Sequence, residues 1–166
     1  MRLGVGIDFG TTNSAAAVFD GERVVLVELE EGQAIMPSAT YIDRQLKSLT
    51  GQAAIDRYIE DNSGRTVEMI PEVVAESSAF VEHGDPENPA PVETTTQKIY
   101  GAPLVDSGLQ GRLFRGTKRL LGDSRVRRLM VFDHPFRLVA LITPILLRIR
   151  QALEVHVKPC TEAHLG

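Results

Sequence analysis

Five consecutive residues near the start of the chain, Gly10-Thr11-Thr12-Asn13-Ser14, carry no bulky side chain, and a carboxylate stands two positions before them at Asp8. A glycine followed by short hydroxyl and amide residues lets backbone N–H groups come close to an anion, and phosphate suits that set best. A neighbouring carboxylate can hold a divalent cation through water. The same residue types also serve a plain strand and tight turn, with Asp8 and the threonines satisfying local backbone groups.

Two other phosphate motifs do not fit. Glycines at 4, 6 and 10 resemble a dinucleotide fingerprint, but the third is one residue late and Asp8 sits inside the loop, where it would repel a pyrophosphate. No glycine-rich segment ends in Gly-Lys-Ser or Gly-Lys-Thr, which excludes a P-loop.

The elements that must position these residues follow from the spacing. An apolar strand over residues 3–7 delivers Asp8. Residues 14–19 are too short for a helix, because Asp20-Gly21 ends them. That Asp-Gly pair between residues 15–19 and 23–29 predicts a two-residue hairpin, so the small-residue loop joins two antiparallel strands. Three consecutive strands on short turns make a meander. An acidic turn at Glu30-Glu31-Gly32 leads to a further strand at 38–42, set off by Pro37. Gly51 then opens a short helix over 52–60, with Ala53, Ala54, Ile55, Tyr58 and Ile59 at helical spacing.

With these elements in place, Gly6-Ile7-Asp8-Phe9-Gly10-Thr11-Thr12-Asn13-Ser14 resembles the first phosphate motif of the actin-like ATPase superfamily, in the form used by DnaK-type heat-shock chaperones of the seventy-kilodalton class. Met36-Pro37-Ser38, Leu49-Thr50-Gly51-Gln52-Ala53-Ala54 and Thr117-Lys118-Arg119-Leu120-Leu121-Gly122 fall in the same order as that family's later landmarks. The resemblance implies an α/β fold with a mixed sheet, antiparallel at its start: the first, incomplete lobe of a ribonuclease-H-like, actin-like ATPase. It implies the helix over 52–60 as a cover for the meander. It implies ATP or ADP and magnesium as cofactors, with Asp8 orienting hydrated magnesium and Gly10, Thr11, Thr12 and Asn13 holding the phosphates. Lys118 is then the catalytic amine that assists attack by water, and Arg119 is structural. Unfolded peptides and co-chaperones are the partners implied for a full-length parent.

The remaining segments are read from composition. Residues 68–93 hold seven acids and no lysine or arginine, and the proline-rich residues 84–91 must form a loop. The resemblance implies that residues 61–111, acidic here, are a variable subdomain or insert between frame segments 1–60 and 112–166. From Arg112 to Arg128 the charge reverses, with seven basic residues and Asp123 alone opposing them. Few aromatics interleave there and the formal charge of the chain is -4, so a solvated, partly phosphate-facing surface is expected in place of a nucleic-acid site. Within it, residues 116–122 read as a short helix stopped by glycine.

Thr143-Pro144 reads as an N-cap and first helical residue, with Ile145, Leu146, Ile149, Leu153 and Val157 as one stripe, His156 as a helix-end cation and Lys158-Pro159 as the stop. A further strand is expected over residues 160–165. The single Cys160 reads as a packed thiol, and with no leader-like start a reducing cytoplasm is the expected compartment. The longest apolar run, 138–147, is too short to span a bilayer.

The 166 residues contain no Asp-Xaa-Gly-Gly-Gly-Thr segment, the family's second phosphate motif. The chain is therefore expected to form one side of a nucleotide cleft and to hydrolyse ATP weakly or not at all by itself. Two other classes use the same residues: a non-enzymatic module that binds a partner through its charged segments, and a fragment of an actin-like sugar or acetate kinase.

Overall fold

Val5, Ile7 and Phe9 alternate with Gly4, Gly6 and Asp8, which gives the first segment one apolar face and one face of small or charged residues. In the computed structural model, which describes residues 4–81, 93–123, 128–157 and 163–166, that segment is strand β1 (Gly4–Phe9). Two units emerge. The first comprises Met1–Ser63 with Gln110–Gly166, and the second comprises Gly64–Leu109.

In the first unit β1 pairs antiparallel with β2 (Asn13–Phe19), which pairs with β3 (Val24–Leu26) and, at its other end, with β4 (Ile35–Pro37). The turn after β2 is closed by Asp20. Its carboxylate accepts the Glu22 and Arg23 amides at 2.9 Å, and those bonds, Arg23 first, hold the carboxyl below its usual range. The hairpin thus forms at the Asp-Gly pair, but its loop takes four residues and the predicted 23–29 strand shortens to three.

The predicted 38–42 strand does not extend this sheet. As β5 (Ala39–Asp43) it starts a second sheet, with β6 (Ser48–Thr50) on one side and, further along the chain, residues 111–115 on the other. Helix α1 (Gln52–Asn62) starts after Gly51, whose φ of 70° favours glycine. It packs Ala54 against Ala39 and Tyr41 of the second sheet, so it does not cover the opening meander as the resemblance implied. Ile59, counted among its apolar positions, is 56% exposed.

The second unit is a long antiparallel ribbon, β7 (Met69–Val81) with β8 (Glu93–Asp106), whose register shifts between Pro71 and Ala75. Arg65 grips Asp106 through both guanidinium nitrogens at the base of the ribbon. The predicted loop at 84–91 lies outside the described residues.

Returning to the first unit, β9 (Gly111–Arg115) completes the second sheet, and a 3-10 turn (Thr117–Leu120) replaces the short helix expected at 116–122. A hairpin, β10 (Arg128–Val131) and β11 (His134–Arg137), leads into helix α2 (Leu138–His156). The helix starts earlier than Thr143-Pro144 suggested and carries Pro144 in its interior. Leu138, Leu141 and Ile142 are buried with Ile145, Ile149 and Leu153, and that burial outweighs the backbone bond the proline cannot make. Thr143 donates its hydroxyl to the Val139 carbonyl at 2.8 Å instead of capping. Leu146, placed on the stripe by spacing, is 36% exposed, whereas Val157 packs against the core.

The main core lies between α2 and the apolar face of β1 and β2, where Val5, Phe9, Ala16 and Val18 meet Ile142, Ile145, Ile149 and Leu153. The last strand, β12 (His164–Leu165), pairs parallel to β1 and makes the first sheet mixed. Lys158, Pro159 and Cys160 lie outside the described residues. Among the described residues, no helix is long and apolar enough to cross a membrane.

Candidate functional site

The loop between β1 and β2 is set by one glycine. A Cβ on Gly10 would stand 2.4 Å from the Asn13 carbonyl oxygen, and the Gly10 N–H donates to that same oxygen at 3.0 Å. Gly10 therefore makes the turn, with its own amide engaged inside it. Thr12 and Asn13 are exposed at the tip and Thr11 is half-buried, so short polar side chains remain accessible there.

Asp8, one residue before the end of β1, lies opposite Ala15 across the ladder and is exposed on the face that α2 does not cover. That face holds a groove of about 530 Å³ lined by Gly6, Asp8, Ala15, Ala17, Leu26 and His164. Its floor is low because β1 and β2 alternate glycine and alanine there. Neither the loop tip nor Lys118 lines it.

Lys118 reaches β1 from elsewhere in the chain. Gly116, at φ 66°, turns the chain after β9 into the 3-10 segment; Thr117 is buried and Leu120 packs on the main core. The Lys118 ammonium lies 5.8 Å from the centre of the Phe9 ring and 3.4 Å from the Gly166 carbonyl, whose own N–H donates to Ile7 at 2.9 Å. The amine is thus held at the end of β1 where the loop begins. Phe9 and Asp8 are neighbours on β1 and alternate between its two faces.

Among the described residues, no three His, Cys, Asp or Glu side chains converge as a metal cluster. Asp8, an exposed carboxylate, could hold a divalent cation through its water shell. Asp8, the loop and Lys118 together offer one acid, exposed polar groups and one amine around a single strand end, a donor set suited to a charged phosphate chain with its counter-ion.

Two features escaped the residue pattern. Glu30, placed in an acidic surface turn, accepts the Gln52 N–H at 2.9 Å and so offers its carboxylate to the start of α1. Ser38 bonds to both sides of Asn13, through its amide and its hydroxyl. Its place in the Met36-Pro37-Ser38 segment was the available signal.

A family model described as Hsp70 protein matches residues 4–115, more than half of the chain. Similar curated proteins include the chaperone protein HscA of Salmonella agona, 28% identical over 106 residues that make up 64% of this chain and 16% of that protein. The chaperone protein DnaK of Thermus thermophilus is 36% identical over 69 residues, 42% of this chain and 11% of that protein. The matched stretches are thus a small part of these relatives' length.

Proposed function

The chain belongs to the Hsp70 protein family, and from that premise we propose that it forms the phosphate-holding side of a nucleotide cleft in an ATP-hydrolysing, chaperone-like protein. The observation that carries this reading is the meeting, at one end of β1, of the glycine-turned loop and the amine of Lys118.

In this reading Thr11, Thr12 and Asn13 hold phosphate oxygens through backbone N–H groups and short side chains, while Gly10 shapes the turn. Asp8 accepts hydrogen bonds from the water shell of magnesium. A bound magnesium nucleotide supplies the phosphoryl group and neutralises charge between phosphates. Lys118 offsets negative charge on phosphoryl oxygens and orients a water at the loop. These roles are positioning and electrostatics, which is where most of the catalytic effect in phosphoryl transfer arises. The frame lies in residues 1–60 and 112–166, arranged as a ribonuclease-H-like lobe, and 61–111 is a variable acidic subdomain or insert. The cytoplasm is the compartment, and unfolded peptides and co-chaperones are the partners of the complete protein.

The test is a titration of the isotope-labelled chain with ADP, with and without magnesium. The expected result is amide shifts confined to residues 8–13 and the segment around Lys118, tighter with magnesium. Shifts elsewhere, or none, would assign the loop to a purely structural turn and favour a non-enzymatic binding module.

A further inference from the structure

The loop's exit is held by a residue that touches no predicted ligand. Pairing of β2 with β4 sets Asn13 opposite Pro37 and Ser14 opposite Met36. Pro37 has no N–H to give the ladder. The next residue supplies it: the Ser38 amide donates to the Thr12 carbonyl at 2.8 Å. The Ser38 hydroxyl in turn lies 2.8 Å from the Ser14 hydroxyl, with the two residues 4% and 1% exposed. Ser38 thereby bonds the chain on both sides of Asn13, leaving the Asn13 side chain exposed between two fixed points.

We propose that Ser38 is a positioning residue for the phosphate loop, acting through Thr12 and Ser14 to fix the direction of the groups at 11–13. The inference rests on the phosphate-binding reading above. The hydroxyl pair is buried beside Met36, so its two polar atoms satisfy one another and nothing else is needed to explain their burial. What a simple core would not require is a polar pair at this place, one residue past the loop; two alanines would fill a similar volume. A preorganised loop binds more tightly because it loses less conformational freedom on binding.

The experiment uses magnesium tripolyphosphate as the probe on the whole 166-residue chain, with Kd read from amide shifts at residues 8–13 and Tm measured separately. Ser38→Ala is expected to weaken binding about fivefold to tenfold and to speed hydrogen exchange at the loop amides. Ser14→Ala should do the same, and the double variant no more than either single, because both remove one bond. The double variant leaves no orphaned hydroxyl and carries the test if a single variant folds poorly. Tripolyphosphate affinity unchanged within about twofold in the double variant, with wild type binding normally, would overturn the positioning role alone. A wild-type chain whose loop amides ignore the probe would overturn the phosphate-binding reading and this inference with it.

Discussion

The two units of the chain are held together by different means. The first buries two faces of small sheets under α1 and α2, with Ile145, Ile149 and Leu153 nearly inaccessible to water. The second is a two-stranded ribbon whose described side-chain anchors are polar, chiefly the fork between Arg65 and Asp106 and the Ser107 contacts with Glu68. A buried apolar layer fixes geometry to a fraction of an ångström, as a phosphate site requires; a ribbon on its own is marginally stable in water. The candidate site accordingly draws its residues from the first unit.

The strongest way to break that contrast is to hollow the first unit's core. Ile149→Ala removes a fully buried side chain between α2 and the first sheet and is expected to cost about 2–5 kcal/mol in denaturant unfolding. Gly111→Ala comes next. Its Cβ would stand 2.0 Å from the Tyr41 ring, which is 1% exposed and has no room to move, so a loss of about 1–3 kcal/mol is expected in the same measurement.

A pH series sharpens the comparison further. Burial, and then its hydrogen bond to Asp61, push the Tyr41 hydroxyl up from 10.0 to about 12. Below pH 10 the phenol is neutral whether the chain is folded or not, and its contribution is fully present. Between pH 10 and 12 the unfolded chain releases that proton first, so stability should fall by about 1.4 kcal/mol per pH unit. Tyr41→Phe should lose that slope, and an unchanged alkaline Tm profile in the variant would contradict the assignment. The smallest effect belongs to the ribbon. Arg65→Ala is expected to speed hydrogen exchange in β7 and β8 by an amount corresponding to about 1 kcal/mol, leaving the global Tm of the first unit unmoved.

The opening strand, the loop, the Asp20 turn and the Gly51 helix start were readable in the sequence because each rests on local rules: alternation, a turn residue and positive φ. What stayed hidden depended on distant partners. Thr143-Pro144 has the grammar of a helix start, yet Leu138, Leu141 and Ile142 found apolar neighbours on β1 and β5 and drew the helix back by more than a turn. Residues 38–42 read as one more strand of the meander, but the break at Pro37-Ser38 hands the chain to a second sheet. The strands of the ribbon, rich in valine and threonine, were masked by acidity and prolines that favoured a loop. At the site, Asp8 and the loop were named from residue type; Lys118 came from resemblance, since no local rule could bring residue 118 to residue 9.

Lys118→Ala tests that last convergence most directly. Its ammonium contacts the Phe9 ring and the Gly166 carbonyl at the surface, so its loss should leave Tm within about 1–2 °C of wild type. The folded variant is expected to bind magnesium tripolyphosphate at least about fivefold more weakly, by amide shifts at residues 8–13, than the wild-type chain. Equal affinity in the two proteins would contradict this expectation.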